Sequence, residues 1–172
     1  MTENKVTATQ QAQQWLDSFE ETLNSDNPAQ AADLFEDGGF WRDLVTMTWN
    51  IKTMEGRGAI RDMLSATAKR TQPANWQVSE EATEQDGVID AWVTFETVDA
   101  IGKGHLRLRN GHAWTLLTTM QELKEFPEKR KFNRAKGAEH GASKSRKSWL
   151  ETLQDEQQEL GYSRQPYCVI IG

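Results

Sequence analysis

Residues 88–120 constrain the fold more than any other stretch. From Val88 to Val98 the side chains alternate, with Ile89, Ala91, Val93 and Phe95 on one face and Asp90, Trp92, Thr94 and Glu96 on the other. That is the period of a half-buried β-strand. Asp86-Gly87 before it and Asn110-Gly111 further on are two-residue hairpin signals. Gly102-Lys103-Gly104 reads as the turn between them, leading into His105–Arg109, and His112–Met120 reads as the third strand. Hairpin-linked strands form a meander, and one apolar face per strand needs a second layer to cover it.

The preceding residues supply that layer. Ala12, Trp15, Leu16, Phe19 and Leu23 recur at steps of three and four, so residues 8–24 read as an amphipathic helix. Asn27-Pro28 opens a second, short helix with Ala31, Ala32, Leu34 and Phe35 on its apolar side. Asp37-Gly38-Gly39 reads as a turn, after which Phe40, Arg42 and Leu44 alternate with Trp41, Asp43 and Val45 in a strand. Gly56 and Gly58 release the chain into a third helix, to about Lys69, with Ile60, Met63, Leu64 and Thr67 on one face. A further strand runs from Trp76, with an interruption, to about Glu84. The class is α+β: a cone-shaped, strongly curved mixed sheet packed on three helices.

At 172 residues with a net charge of −6, the chain holds one domain and a tail. Residues 1–123 carry 10 Lys and Arg against 19 Asp and Glu, whereas residues 124–150 carry 9 against 3. The basic stretch lacks interleaved aromatics, which argues against nucleic acid and for docking on the acidic body. Residues 124–144 read as a basic linker and 145–161 as a helix. Tyr167-Cys168-Val169-Ile170-Ile171-Gly172 has the profile of a strand buried on both faces. No apolar run reaches the length of a membrane span. The first residues lack a secretion-signal layout, and one cysteine excludes an internal disulfide, so the chain is expected to be cytoplasmic.

The order helix, helix, Trp-x-Asp strand, Gly-x-Gly-Ala-Ile helix and meander resembles the nuclear transport factor 2-like (SnoaL-like) cone, over residues 8–123. Phe40-Trp41-Arg42-Asp43-Leu44, Thr48-Trp49 and Glu55-Gly56-Arg57 resemble the N-terminal extension of some bacterial and fungal flavin-containing monooxygenases. Gly161-Tyr162-Ser163-Arg164-Gln165-Pro166-Tyr167-Cys168-Val169-Ile170-Ile171-Gly172 is similar to the junction that follows the cone in that family. The resemblance implies that 162–172 is the first strand of an FAD-binding Rossmann domain, with Gly172 the first glycine of a fingerprint whose remaining glycines are absent. It follows that the chain itself binds neither FAD nor NADPH, both of which belong to the inferred parent enzyme. The resemblance also implies a homodimer through the outer face of the sheet, with the Trp92 face as the interface.

Several residues are candidates for a site. Asp43 reads as a general base in the cone cavity, with Trp41 and Trp49 as apolar walls, or as a paired or turn-capping carboxylate. The base reading also asks for an oxyanion donor, and both tyrosines, Tyr162 and Tyr167, lie in the tail. His112 is a second candidate catalytic group, and Trp114 a further pocket wall. His105 and His112 read as surface groups more readily than as metal ligands, so no metal is expected. Trp92 and Trp114, taken to be on neighbouring strands, read as a core or dimer-face pair.

Three functions follow. The chain is a non-catalytic accessory module of a flavin-dependent monooxygenase, with a possible small apolar ligand in its cavity. Alternatively it is a stand-alone SnoaL-like isomerase, cyclase or dehydratase using Asp43. The third reading is a pure dimerisation domain with a vestigial cavity. A polar pocket converging on Asp43 favours the enzyme; a cavity filled by tryptophan favours the dimerisation domain.

Overall fold

In the computed structural model, the described residues are 6–25, 27–134 and 147–163. They fall into two units, residues 1–128 and 129–172. In the first, α1 (Ala8–Asn24), α2 (Pro28–Asp33) and α3 (Gly56–Thr71) accompany seven strands. These are β1 (Phe35–Leu44), β2 (Ile51–Glu55), β3 (Ala74–Val78), β4 (Thr83–Gln85), β5 (Val88–Glu96), β6 (Ala100–Arg109) and β7 (His112–Leu123). They form one sheet in the order β2-β1-β7-β6-β5-β3, with β4 also on β5. Every pairing is antiparallel except β1 with β7, which is parallel. The mixed sheet on three helices agrees with the expected class.

The helices form where the apolar steps place them. Thr7 caps α1 reciprocally with Gln10, and Ala12, Trp15, Leu16 and Phe19 are its buried stripe. Ile60, Met63, Leu64 and Thr67 are the buried face of α3. Phe35, expected in the second helix, instead begins β1.

Two glycine clusters read as turns are parts of strands. Between Phe35 and Phe40 the register of β1 on β7 shifts, so Asp37-Gly38-Gly39 is a bulge. A Cβ on Gly39 would stand 3.0 Å from the Ala113 carbonyl oxygen, which explains the glycine. Gly102 and Gly104 lie within β6, opposite Phe95 and Val93. A Cβ on Gly102 would come within 2.4 Å of the Phe95 ring, and one on Gly104 within 2.7 Å of the Leu117 carbonyl oxygen. The glycines make room for a close approach rather than a reversal. The β5–β6 turn lies at Thr97–Asp99 instead, where Thr97 N–H donates to the Ala100 carbonyl at 2.8 Å.

The β3 edge is closed by side chains of α1. Glu20 accepts from the N–H groups of Asn75 (2.9 Å) and Trp76 (3.1 Å), and Gln13 accepts from Val78 N–H (2.9 Å) while donating to the Trp76 carbonyl (3.1 Å). Thr9 accepts from Ala82 N–H at 3.0 Å. A polar stripe along one helix thus stands in for a neighbouring strand. Glu20→Ala is expected to destabilise by about 1–2 kcal/mol, since the exposed amides regain water. Urea unfolding reads the loss, and amide exchange places it at Asn75 and Trp76.

In the second unit, α4 (Trp149–Glu159) starts at a capping box between Ser148 and Glu151, inside the expected helix 145–161. Residues 135–144 of the basic linker, Tyr167, Cys168 and Gly172 lie outside the described residues.

Candidate functional site

The interior under the sheet is filled by six aromatic rings. Trp15 stacks on Phe19 with centroids 4.9 Å apart, and Phe35 stacks on Trp41 at 5.8 Å. Phe19 meets Trp41 at 5.7 Å and Trp76 at 5.4 Å, both edge to face, and Trp76 stacks on Phe95 at 4.2 Å. Alternation on β1 and β5 aims Trp41 and Phe95 inward, while the helical stripe of α1 supplies Trp15 and Phe19. Two clefts, of about 480 and 500 Å³, open at the surface; the first reaches Trp15, Leu34, Ile89 and Leu108 between α1 and the sheet, and neither is lined by Trp41, Asp43 or Phe95. Trp76 Nε1 is buried without a hydrogen-bond partner.

Asp43 faces inward from β1 and is fully buried. One oxygen, Oδ1, accepts from Thr118 Oγ1 (2.8 Å), Met47 N–H (3.1 Å) and Thr46 N–H (3.3 Å). The other, Oδ2, accepts from Thr48 N–H and Oγ1 (both 2.8 Å) and Met47 N–H (3.0 Å). Thr118 in turn accepts from Trp41 Nε1 at 2.9 Å. A carboxylate offers about four lone-pair directions, and these contacts occupy them. The three consecutive amides belong to the loop after β1, in which Val45 (φ 58°) and Trp49 (φ 54°) are left-handed. Such backbone persists only when its surroundings hold it. Asp43 is built to hold that loop; proton abstraction would need one of its lone pairs turned to an open space.

Of the other candidates, only Trp41 reaches it, through Thr118. Trp41 is in the core, Trp49 is 47% exposed on the loop, and Trp114 is on the outer face of the sheet. A bulge in β7, where Arg107 and Leu108 face Thr115 and Ala113, places Trp114 there. The three tryptophans expected to wall one pocket therefore stand in three places. His112 is exposed beside the Asn110-Gly111 turn. It lies six positions along β7 from Thr118, the residue paired with Asp43, or roughly 20 Å. His105 is opposite Leu117, away from His112.

The outer face carries a network with one legible signal, a basic residue at every second position of β6 from Lys103 to Arg109. Lys103 Nζ lies 4.7 Å from the Trp92 ring, and the Arg109 guanidinium 4.0 Å from the Trp114 ring. Asp90 accepts from Arg107 Nε at 2.8 Å and contacts His105, whose ring lies 4.6 Å from Trp92. Burial raises the pKa of Asp90, but the bond from Arg107 and the His105 contact outweigh it and hold it below 3.8. Arg109 Nε donates to Glu36 at 3.0 Å. Trp92 and Trp114 both flank β6, so they are not on neighbouring strands.

No family model matches this sequence, and no curated protein does. Solved structures do. A Nostoc punctiforme domain of unknown function with a cystatin-like fold is similar with a TM-score of 0.54 and 12% identity, over 66% of this chain and 77% of that one. Rv3472 (D26N) of Mycobacterium tuberculosis, of unknown function, gives 0.52 and 14%, over 68% and 73%. A putative calcium/calmodulin dependent protein kinase II association domain from Xanthomonas campestris gives 0.51 and 15%, over 65% and 86%. At these identities the likeness concerns architecture alone. The chain has the cystatin-like, nuclear transport factor 2-like fold: a curved mixed sheet closed over three helices.

Proposed function

We propose that this chain is a non-catalytic accessory and dimerisation domain of a flavin-dependent monooxygenase. The observation that supports the non-catalytic part is the interior around Asp43, where stacked and edge-on rings pack so that no described cleft is lined by Asp43, Trp41 or Phe95. The parent enzyme is supported by the sequence resemblance of residues 40–57 and 161–172, and FAD and NADPH belong to that parent. The alternative, a SnoaL-like isomerase, cyclase or dehydratase with Asp43 as base and His112 beside it, requires Asp43 to surrender loop hydrogen bonds. It also requires His112 to cross most of a strand.

Dimerisation through the outer face is supported by the residue types there. Trp92 is 42% exposed, and Trp and Arg are the residues on which interface energy concentrates. Both Arg107 and Arg109 are already held by carboxylates, which lowers the entropy cost of presenting them. Sedimentation equilibrium is expected to give a dimer that Trp92→Ala with Trp114→Ala converts to a monomer of unchanged circular dichroism. A monomer in the unsubstituted protein at high concentration overturns the dimer.

A further inference from the structure

We infer that the free edge of β2, with the groove between β2 and α3, takes an extended peptide segment of a partner protein by strand addition. The inference does not depend on the accessory-domain reading. The sheet ends at β2 on one side and at β3 on the other. The β3 edge is occupied by Gln13 and Glu20, as described above. No described strand or helix side chain does the same for β2.

The register says which backbone groups point outward. Leu44 is opposite Ile51, and the next pair is joined by Val45 N–H donating to the Asn50 carbonyl at 3.1 Å. Bonded and non-bonded pairs alternate along an antiparallel ladder. Lys52 and Met54 therefore bond to β1, while the backbones of Ile51 and Thr53 turn to the open edge. Asn50 Oδ1 takes the Ile51 N–H at 2.8 Å. The Ile51 carbonyl and both polar groups of Thr53 remain for an incoming strand. An added strand would send alternate side chains to the helical side of the sheet.

On that side lies a groove of about 500 Å³, lined by Lys52 and Met54 of β2 and by Ala59, Met63 and Ala66 of α3. The positions 59, 63 and 66 form one face of the helix, and its two alanines keep the groove open. Charge selects the occupant. Asp62 on the rim is already paired with Arg61 at 3.1 Å. Lys52, also in the groove, has no carboxylate within ion-pairing distance among the described residues. The fitting segment is extended, places an apolar side chain over Ala59 and Ala66, and brings a carboxylate to Lys52.

The probe is a fluorescein-labelled hexapeptide alternating valine with threonine and carrying one glutamate, beside a control with lysine in place of the glutamate. Polarisation is expected to saturate with the glutamate peptide and to be about tenfold weaker with the control. Lys52→Glu is expected to reverse that preference, and amide shifts are expected to centre on Ile51 and Thr53. Thr53→Pro, which removes the outward donor at an edge that tolerates proline, is expected to abolish binding. Lys52 is exposed, so Lys52→Glu, with its fold checked by circular dichroism because it lies opposite Asp43, decides the matter should Thr53→Pro unfold. The inference is overturned by failure to saturate at millimolar peptide, by shifts confined to other strands, or by indifference to Lys52→Glu. It is equally overturned if Thr53→Pro changes the sedimenting mass, which would assign this edge to a second copy of the chain. The outer-face dimer is judged separately, on Trp92 and Trp114.

Discussion

Asp43→Ala is expected to destabilise the domain by about 4 kcal/mol, near the upper end for a single substitution. The residue is fully buried, so water cannot replace it. Its loss leaves the amides of Thr46, Met47 and Thr48 and the hydroxyl of Thr118 without their acceptor, while the Thr48 hydroxyl keeps the Asn50 carbonyl. Hydrogen bonds to a charged acceptor contribute about 1.5–3 kcal/mol each, and a buried donor left unpaired costs its full desolvation. Relaxation of the loop recovers part of this. Trp49 and Val45, left-handed only because the loop is held, are free to move. The melting temperature is expected to fall by roughly 15 °C. Asp43→Asn keeps one acceptor but turns an amide NH₂ toward N–H groups, so it recovers little. Thermal and urea unfolding measure both variants. A general base responds in the opposite sense, since replacing a strained catalytic group commonly leaves stability unchanged or raised. Unaltered stability on Asp43→Ala would remove the loop-anchor account.

Phe95→Ala is expected to cost about 4 kcal/mol for a different reason. The ring is stacked on Trp76 at 4.2 Å and roofs Gly102 across the β5–β6 ladder. Removing a buried phenylalanine forfeits its transfer free energy and leaves a cavity, about 3–5 kcal/mol in comparable cores. The partner substitution, Gly102→Ala, forces a methyl group into the ring, at a cost of about 2 kcal/mol. The pair is expected to be non-additive, because the methyl group has nothing to strike once the ring is gone. A double-mutant cycle by urea unfolding checks this. Strict additivity would mean that the glycine is there for the backbone alone.

These two sites mark where reading residues in order succeeds and where it stops. The alternation of Ile89, Ala91, Val93 and Phe95 and the helical stripe of Trp15, Leu16 and Phe19 are local periodicities, and both appear in the structure on the faces they imply. Asp86-Gly87 and Asn110-Gly111 have the left-handed backbone that such pairs favour. Gly102-Lys103-Gly104 carries the same composition as a turn, yet its glycines answer to Phe95, Val93 and Leu117 on neighbouring strands. That cause is absent from the local sequence. The inward direction of Asp43 follows from period two, and turn capping was one of its two readings. The choice depended on Thr118, 75 positions away. The grouping of Trp41, Trp49 and Trp114 rested on their being aromatic. A bulge and a left-handed loop, neither visible in periodicity, send them in different directions.

The edge seal of β3 was hidden for the same reason. Gln13 and Glu20 sit on the polar side of an amphipathic helix, where the default expectation is solvent. Only the helix lying against an unpaired strand turns those side chains into acceptors.

The proposed non-catalytic role depends on the space around Asp43, Trp41 and Trp76 being filled by packed side chains. It is tested most directly by following the indole N–H resonances of Trp41 and Trp76 while small apolar ketones are titrated in. Trp41 is hydrogen-bonded to Thr118 and Trp76 has no partner, so each would report a guest in its own way. The account predicts that neither signal moves at millimolar ketone. A saturable shift of either resonance, accompanied by the amides of Thr46 to Thr48, would contradict it.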